Sequence, residues 1–182
     1  MYTQIIFVPA DKKWIPCAAL LAELLQHLGA DRVDLECDSV PYSWDDEEEP
    51  APVFKADDLS VDRAVELWAE RQDAFTLISA GITPWSLRAS QALEKGGHIE
   101  YYEQLLAAWL DIGIGPESIP DYDQEKTQAE FTFSISISGD GLPKDPGAFL
   151  EFARETEPVL ELMQYLEAQT NMTWEVLVDV SY

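Results

Sequence analysis

The stretch EFTFSISIS, residues 130–138, alternates large apolar side chains with small polar ones. Phe131, Phe133, Ile135 and Ile137 occupy every second position, and threonine or serine stands between them. A period of two places the two sets on opposite faces of a strand, one packed on a core and one facing water. Such strands disfavour a doubly wound parallel sheet, whose strands are apolar throughout. They favour a mixed or antiparallel sheet with helices packed mainly on one face.

Four other segments are typical of strands and bring the expected sheet to about five. Residues 32–40 and 173–181 alternate, whereas residues 3–9 and 75–79 are short apolar runs. The inward positions of the alternating segments are Val33, Leu35, Cys37, Trp174, Val176, Val178 and Val180. The outward positions of residues 32–40 are Asp34, Glu36 and Asp38, so this strand has an acidic face.

Helical periodicity appears between these strands. Residues 14–29 repeat leucine at helical spacing, with Pro16 in the first turn and Gly29 as the stop. Residues 60–72 form a second predicted helix with Ser60 as N-cap, and Thr83 opens a third that ends at residues 96–97. Residues 99–113 predict a fourth, with Ile99, Tyr102, Leu106, Trp109 and Leu110 facing a core. Residues 148–168 predict a fifth, split or kinked at Pro158.

These segments predict one α+β (or mixed α/β) domain over residues 1–182, with the loop-like stretch 111–128 as the only candidate boundary. The first residues contain no apolar stretch long enough for a secretion signal, and no stretch approaches a membrane span. We therefore expect a cytoplasmic protein with free thiols. Cys17 and Cys37 both fall on apolar faces, which predicts packed rather than reactive thiols.

Recognisable catalytic and metal-binding patterns are missing from the sequence. The two histidines, His27 and His98, stand apart from any G-x-S-x-G turn, and there is no phosphate-binding G-x-x-x-x-G-K. Residues 121–126 begin like a calcium loop, but Lys126 and Thr132 occupy its sixth and twelfth positions, which excludes an EF-hand. We expect no catalytic residue, no metal and no cofactor. The strand-to-helix turn from Thr83 to Ser86 is the alternative, as a small enzyme's anion-binding site.

Charge is the strongest functional signal. The chain has 35 acidic and 11 basic residues, for a formal net charge of -24. Residues 31–73 contain fifteen of the acids and four of the bases, whereas residues 74–93 contain only Arg88. A surface of this sign repels nucleic acids and anionic membranes and attracts cationic proteins.

The acids of residues 34–58 are predicted to form one surface that docks a basic protein. Acidic groups steer association, and aromatic side chains that lose water on docking supply affinity. The predicted partner-binding residues are Asp34, Glu36, Asp38, Tyr42, Trp44, Asp45, Asp46, Glu47, Glu48, Glu49, Asp57 and Asp58. Two alternatives remain open: the charge could be a solubility or high-salt adaptation, and the aromatics could serve a homodimer.

In size, acidity, scattered tryptophans and missing catalytic groups, the chain resembles bacterial immunity proteins. The resemblance lies in this profile and in no motif, and because immunity proteins share no common fold it implies none. It implies a cytosolic protein that binds and neutralises a cognate basic toxin. A nucleic-acid mimic that inhibits a DNA- or RNA-binding protein has the same physical profile and is the alternative.

Overall fold

Seven strands form one antiparallel sheet in the computed structural model, which describes residues 2–38, 53–72, 75–95, 107–115, 129–138 and 145–181. The strands are β1 (Tyr2–Pro9), β2 (Val33–Asp38), β3 (Phe54–Leu59), β4 (Phe75–Gly81), β5 (Ala107–Ile114), β6 (Phe131–Ser138) and β7 (Trp174–Ser181). Their spatial order is β3-β2-β4-β5-β6-β1-β7. The predicted α+β class is confirmed, and the sheet has two strands more than the expected five.

The additional strands are β3 and β5. Strand β3 lies where the sequence predicts no strand, and its two consecutive aspartates have low strand propensity. Strand β5 overturns the predicted helix over residues 107–113: Leu110 is buried as expected, but Trp109 is exposed. Residues 111–114 of the predicted loop are therefore strand, and residues 116–128 lie outside the described residues. Pairing with β4 and β6 overrides the helix propensity of alanine and leucine there. Ile99, Tyr102 and Leu106 lie outside the described residues.

Five helices are described, and none of them is long and apolar enough to cross a membrane. They are α1 (Ala18–His27), α2 (Val61–Ala69), α3 (Thr83–Lys95), α4 (Pro146–Glu155) and α5 (Glu157–Thr170). The predicted interruption near Pro158 is confirmed, because α4 ends before Thr156 and Pro158 lies in the first turn of α5.

One hydrophobic cluster joins all five described helices to one face of the sheet. Strand register explains which side chains share that face. Phe7 pairs with Phe133, Ile112 pairs with Phe133 from the other side, and Ile78 pairs with Ile112. The Phe7 and Phe133 rings stack with centroids 4.5 Å apart. We call this side of the sheet the helical face.

Two helix ends form as the sequence predicts. Ser60 caps α2, because its Oγ accepts a hydrogen bond from the Arg63 N–H at 3.2 Å. Gly29 ends α1 with φ +73, and a Cβ there would come within 2.7 Å of Pro84 Cγ at the start of α3. This glycine therefore sets how closely α1 and α3 approach.

The two thiols differ from each other. Cys37 is buried, with its Sγ 3.5 Å from Thr76 Oγ1, as the sequence predicts. Cys17 is exposed at the N-cap of α1, so the prediction of a packed thiol is wrong there. The helical periodicity that includes Cys17 begins one residue before the helix itself.

Candidate functional site on the polar face of the sheet

The face of the sheet opposite the helices is polar, and we call it the polar face. Its side chains alternate in register with those of the hydrophobic cluster, and none of its described strand residues belongs to that cluster. The described residues of this face include Gln4, Ile6, Val8, Asp34, Glu36, Lys55, Phe75, Leu77, Ser79, Gly81, Trp109, Asp111, Gly113, Thr132, Ser134, Ser136, Glu175, Leu177 and Asp179. Val8, Phe75, Thr132 and Ser134 are buried, so the expectation that Thr132 and Ser134 face water is wrong. The polar face thus combines five carboxylates with one cation.

Hydrogen bonds between strands fix the centre of the polar face. Ser79 Oγ donates to Asp111 Oδ1 at 2.7 Å, and Gln4 Nε2 donates to Ser134 Oγ at 2.6 Å. Burial raises the pKa of Asp111, although the Ser79 hydrogen bond acts in the opposite direction. A carboxylate held in this way is positioned by the sheet and not by a flexible loop.

Trp109 stands beside Asp111 on β5, with 49% of its surface exposed. An exposed aromatic side chain in mid-sheet offers a large apolar area that a docking partner can bury. The sequence contained a signal for this position. Ala108, Leu110, Ile112 and Ile114 alternate with Trp109, Asp111 and Gly113, but the same apolar residues also satisfy helical spacing.

Two of the predicted acidic residues of β2, Asp34 and Glu36, lie on the polar face. Asp34 Oδ1 accepts a hydrogen bond from the Asp58 backbone N–H at 2.8 Å, and Glu36 Oε2 lies 3.7 Å from Lys55 Nζ. Asp38 is the last residue of β2. The prediction that these strand acids gather on one side of the chain is thus supported by the placement of Asp34 and Glu36.

Asp57 and Asp58 lie on β3, at the edge of the sheet. The register shifts between Val33 and Leu35, and Asp58 adopts φ 59, a left-handed conformation. Asp58 also pairs with Arg32, with Nε and Oδ1 3.4 Å apart. Charges and an irregular register on an edge strand hinder pairing with another chain, so these acids also have a structural role.

Seven of the predicted docking residues lie outside the described residues: Tyr42, Trp44, Asp45, Asp46, Glu47, Glu48 and Glu49. They belong to the connection between β2 and β3. The backbone N–H of Val53 donates to the Cys37 carbonyl at 2.8 Å, so both ends of this connection meet at one end of the hairpin. The 39–52 connection, which contains the acidic run, therefore leaves and rejoins the sheet at the edge that carries Asp34 and Glu36.

A second acidic stretch joins β5 to β6 at the same end of the sheet. In the register, Asp38 pairs with Phe75, and the next residue, Thr76, pairs with Ile114 near the end of β5. The 116–128 connection contains Glu117, Asp121, Asp123 and Glu125, which lie outside the described residues. Topology thus brings the ends of both acidic connections to one side of the molecule, two strands apart.

The other chemical candidates do not assemble into a site among the described residues. No group of three or more His, Cys, Asp or Glu side chains there could hold a metal ion. His27 is exposed and stacks on Tyr165 with ring centroids 4.0 Å apart. At the alternative turn, Thr83 begins α3 and Trp85 is buried, and no described residue accepts a hydrogen bond from its Nε1.

Comparisons of the chain with protein-family models, with curated proteins and with solved structures found no match. The polar face therefore has to be interpreted from its own geometry and charge.

Proposed function

We propose that this protein is an acidic docking module that binds a basic partner protein, most simply as a cytoplasmic immunity protein that neutralises a toxin. The observation that carries the proposal is the polar face, where Asp34, Glu36, Asp111, Glu175 and Asp179 share a surface with one cation, Lys55. A surface of that sign, offered by the side of the sheet that lacks the hydrophobic cluster, is complementary to a basic protein.

The acidic connections strengthen the proposal. Residues 39–52 contain five acids and no base, and residues 116–128 contain four acids and one base. Both connections start and finish at the same end of the sheet, as the register requires. Charge concentrated at one end of a molecule orients an approaching cation and raises its association rate, whereas evenly spread charge does not.

The internal ion pairs of this region are easily exchanged for a partner's cations. The Lys55–Glu36 and Arg32–Asp58 pairs join exposed side chains at 3.7 and 3.4 Å. Exposed pairs of this kind contribute about 0–1 kcal/mol each. A basic partner can therefore replace these contacts at small cost.

The direct test captures partners from an extract of the protein's own host at low and high salt and identifies them by mass spectrometry. Wild type is compared with a triple variant of the polar face, Asp34→Asn, Glu36→Gln and Asp111→Asn. The matched control removes three exposed charges from helices α4 and α5: Glu151→Gln, Glu155→Gln and Glu167→Gln. We expect a basic protein that wild type and control retain at low salt and the polar-face variant loses.

Two results would reject the proposal. One is the absence of any enriched basic protein at low salt. The other is a captured partner that both triple variants retain or lose equally. Binding would then depend on the overall negative charge and not on the polar face. If added DNA competes with the captured protein for binding, the function is that of a nucleic-acid mimic and not of a toxin inhibitor.

A further inference from the structure

A gap in the polar face lies beside Trp109. Gly81 is directly opposite Trp109 on β4, and Ser136 is opposite it on β6. A Cβ atom added at Gly81 would have no atom within 4 Å, so the Trp109 ring does not cover this glycine. We call the open space bounded by Gly81, Trp109, Asp111 and Ser136 the Trp109 notch.

A carboxylate lies at one end of the notch. Asp111 is two residues from Trp109 on the same face of β5, which corresponds to about 7 Å along a strand. Among the described residues, only Ser79 donates a hydrogen bond to this carboxylate, and it does so to Oδ1. No described residue donates a hydrogen bond to the other oxygen, Oδ2. Burial raises the pKa of Asp111 and outweighs the opposite effect of the Ser79 hydrogen bond.

The nearby cations of the sheet edge are already engaged. The Arg32 guanidinium pairs with the Asp58 carboxylate and also donates a hydrogen bond to the Asp58 backbone carbonyl. Lys55 pairs with Glu36. Among the described residues, neither of these cations pairs with Asp111, so its carboxylate is a candidate for a cation that the partner supplies.

We propose that the Trp109 notch receives an arginine side chain of the basic partner, with the guanidinium lying on the Trp109 indole and donating to Asp111. This inference rests on the proposed function and names the contact by which it operates. A cation over tryptophan acts within about 6 Å of the ring centroid, and the planar guanidinium can stack while it bonds a carboxylate. Lysine, a compact point charge, cannot do both as well. Gly81 provides the room because it has no side chain.

The test uses N-acetyl-arginine amide as the probe and its uncharged isostere, N-acetyl-citrulline amide, as the ligand control. Binding is followed by NMR at the Trp109 indole N–H, identified as the signal missing from Trp109→Phe. We expect a saturable shift with arginine and none with citrulline. Asp111→Asn should weaken binding about 3- to 10-fold. Gly81→Leu, which fills the notch without changing charge, should abolish binding, and Glu167→Gln on α5 should leave it unchanged.

The other outcomes distinguish failure of the notch proposal from failure of the proposed function. Equal shifts at all six indoles, or unchanged binding by folded Gly81→Leu, would overturn the notch. A captured basic partner that binds Trp109→Ala as tightly as wild type would overturn the notch and leave the proposed function standing. Arginine binding at the notch with no basic partner in the host extract would instead reject the proposed function. If wild type is a dimer that Gly81→Leu converts to a monomer, the notch binds a second copy of this chain, and the arginine proposal is overturned.

Discussion

Along β6, neighbouring side chains are both buried but have chemically different neighbours. Phe133 is 1% exposed and stacks on Phe7 within the cluster that the helices share, whereas Ser134 is 7% exposed and accepts a hydrogen bond from Gln4 on the polar face. The helical face follows the ordinary rule of burying apolar area. The polar face breaks that rule twice, by leaving Trp109 exposed and by raising the pKa of Asp111 through burial. Departures from what stability favours tend to mark functional surfaces, and here both departures lie on one face.

The largest difference between the faces should appear when β6 itself is truncated. Phe133→Ala removes a buried aromatic and is expected to lower the free energy of unfolding by about 3–5 kcal/mol. Ser134→Ala removes one hydrogen bond on the polar face and should cost about 1 kcal/mol. Urea unfolding of both variants measures the two losses in the free energy of unfolding. Equal losses would mean that the polar face is as tightly packed as the helical face.

A pair of glycines makes a second comparison. Gly29→Ala forces a side chain into φ +73 and towards Pro84, so it should cost about 1–2 kcal/mol from the backbone alone, and more from the clash. Gly81→Ala meets nothing within 4 Å and should change stability by no more than about 0.5 kcal/mol. Thermal melting distinguishes them. A Gly81→Ala variant as unstable as Gly29→Ala would show that the Trp109 notch is closed in solution.

The smallest expected effect concerns Asp111 and depends on pH. Because its pKa is raised from 3.8, the charged carboxylate is less favourable in the folded than in the unfolded protein. That cost is fully present above the raised pKa and disappears as the pH falls below the ordinary value. Asp111→Asn should therefore stabilise the protein slightly at pH 7, by less than about 1 kcal/mol, and not at pH 3.

Denaturant unfolding at several pH values measures the difference in the free energy of unfolding between wild type and Asp111→Asn. The contributions of the other carboxylates are common to both proteins and cancel. A variant that is less stable than wild type at pH 7 would mean that the Asp111 carboxylate stabilises the fold. The polar face would then lose one of its two departures from ordinary burial.

The sequence predicts the helical face well because alternation and leucine spacing report burial directly. Phe131, Leu35 and Val176 all lie where their periodicity places them. It predicts β5 wrongly, because Leu110 and its neighbours fit both a helix and a strand, and only pairing between β4 and β6 decides. The sequence does not predict edge strand β3 for a related reason. Its aspartates have low strand propensity, and the hydrogen-bonded pairing with β2 that stabilises it is not visible in the local sequence.

The candidate site could be predicted in part. The alternation of residues 32–40 placed Asp34 and Glu36 on one face correctly. Trp109, Asp111 and Gly81 come from different strands, and their proximity follows only from sheet order and register, which no local pattern contains. The tryptophan singled out by the sequence as a docking anchor, Trp44, lies outside the described residues.

The central claim is that the polar face, and not acidity in general, docks a basic protein. Stopped-flow association of the purified partner with the two triple variants tests it most directly, because both variants lose three charges. We predict that the polar-face variant associates about 10-fold or more slowly at low salt, while the helix-surface control changes less than about twofold. Equal association rates for the two variants would contradict the account.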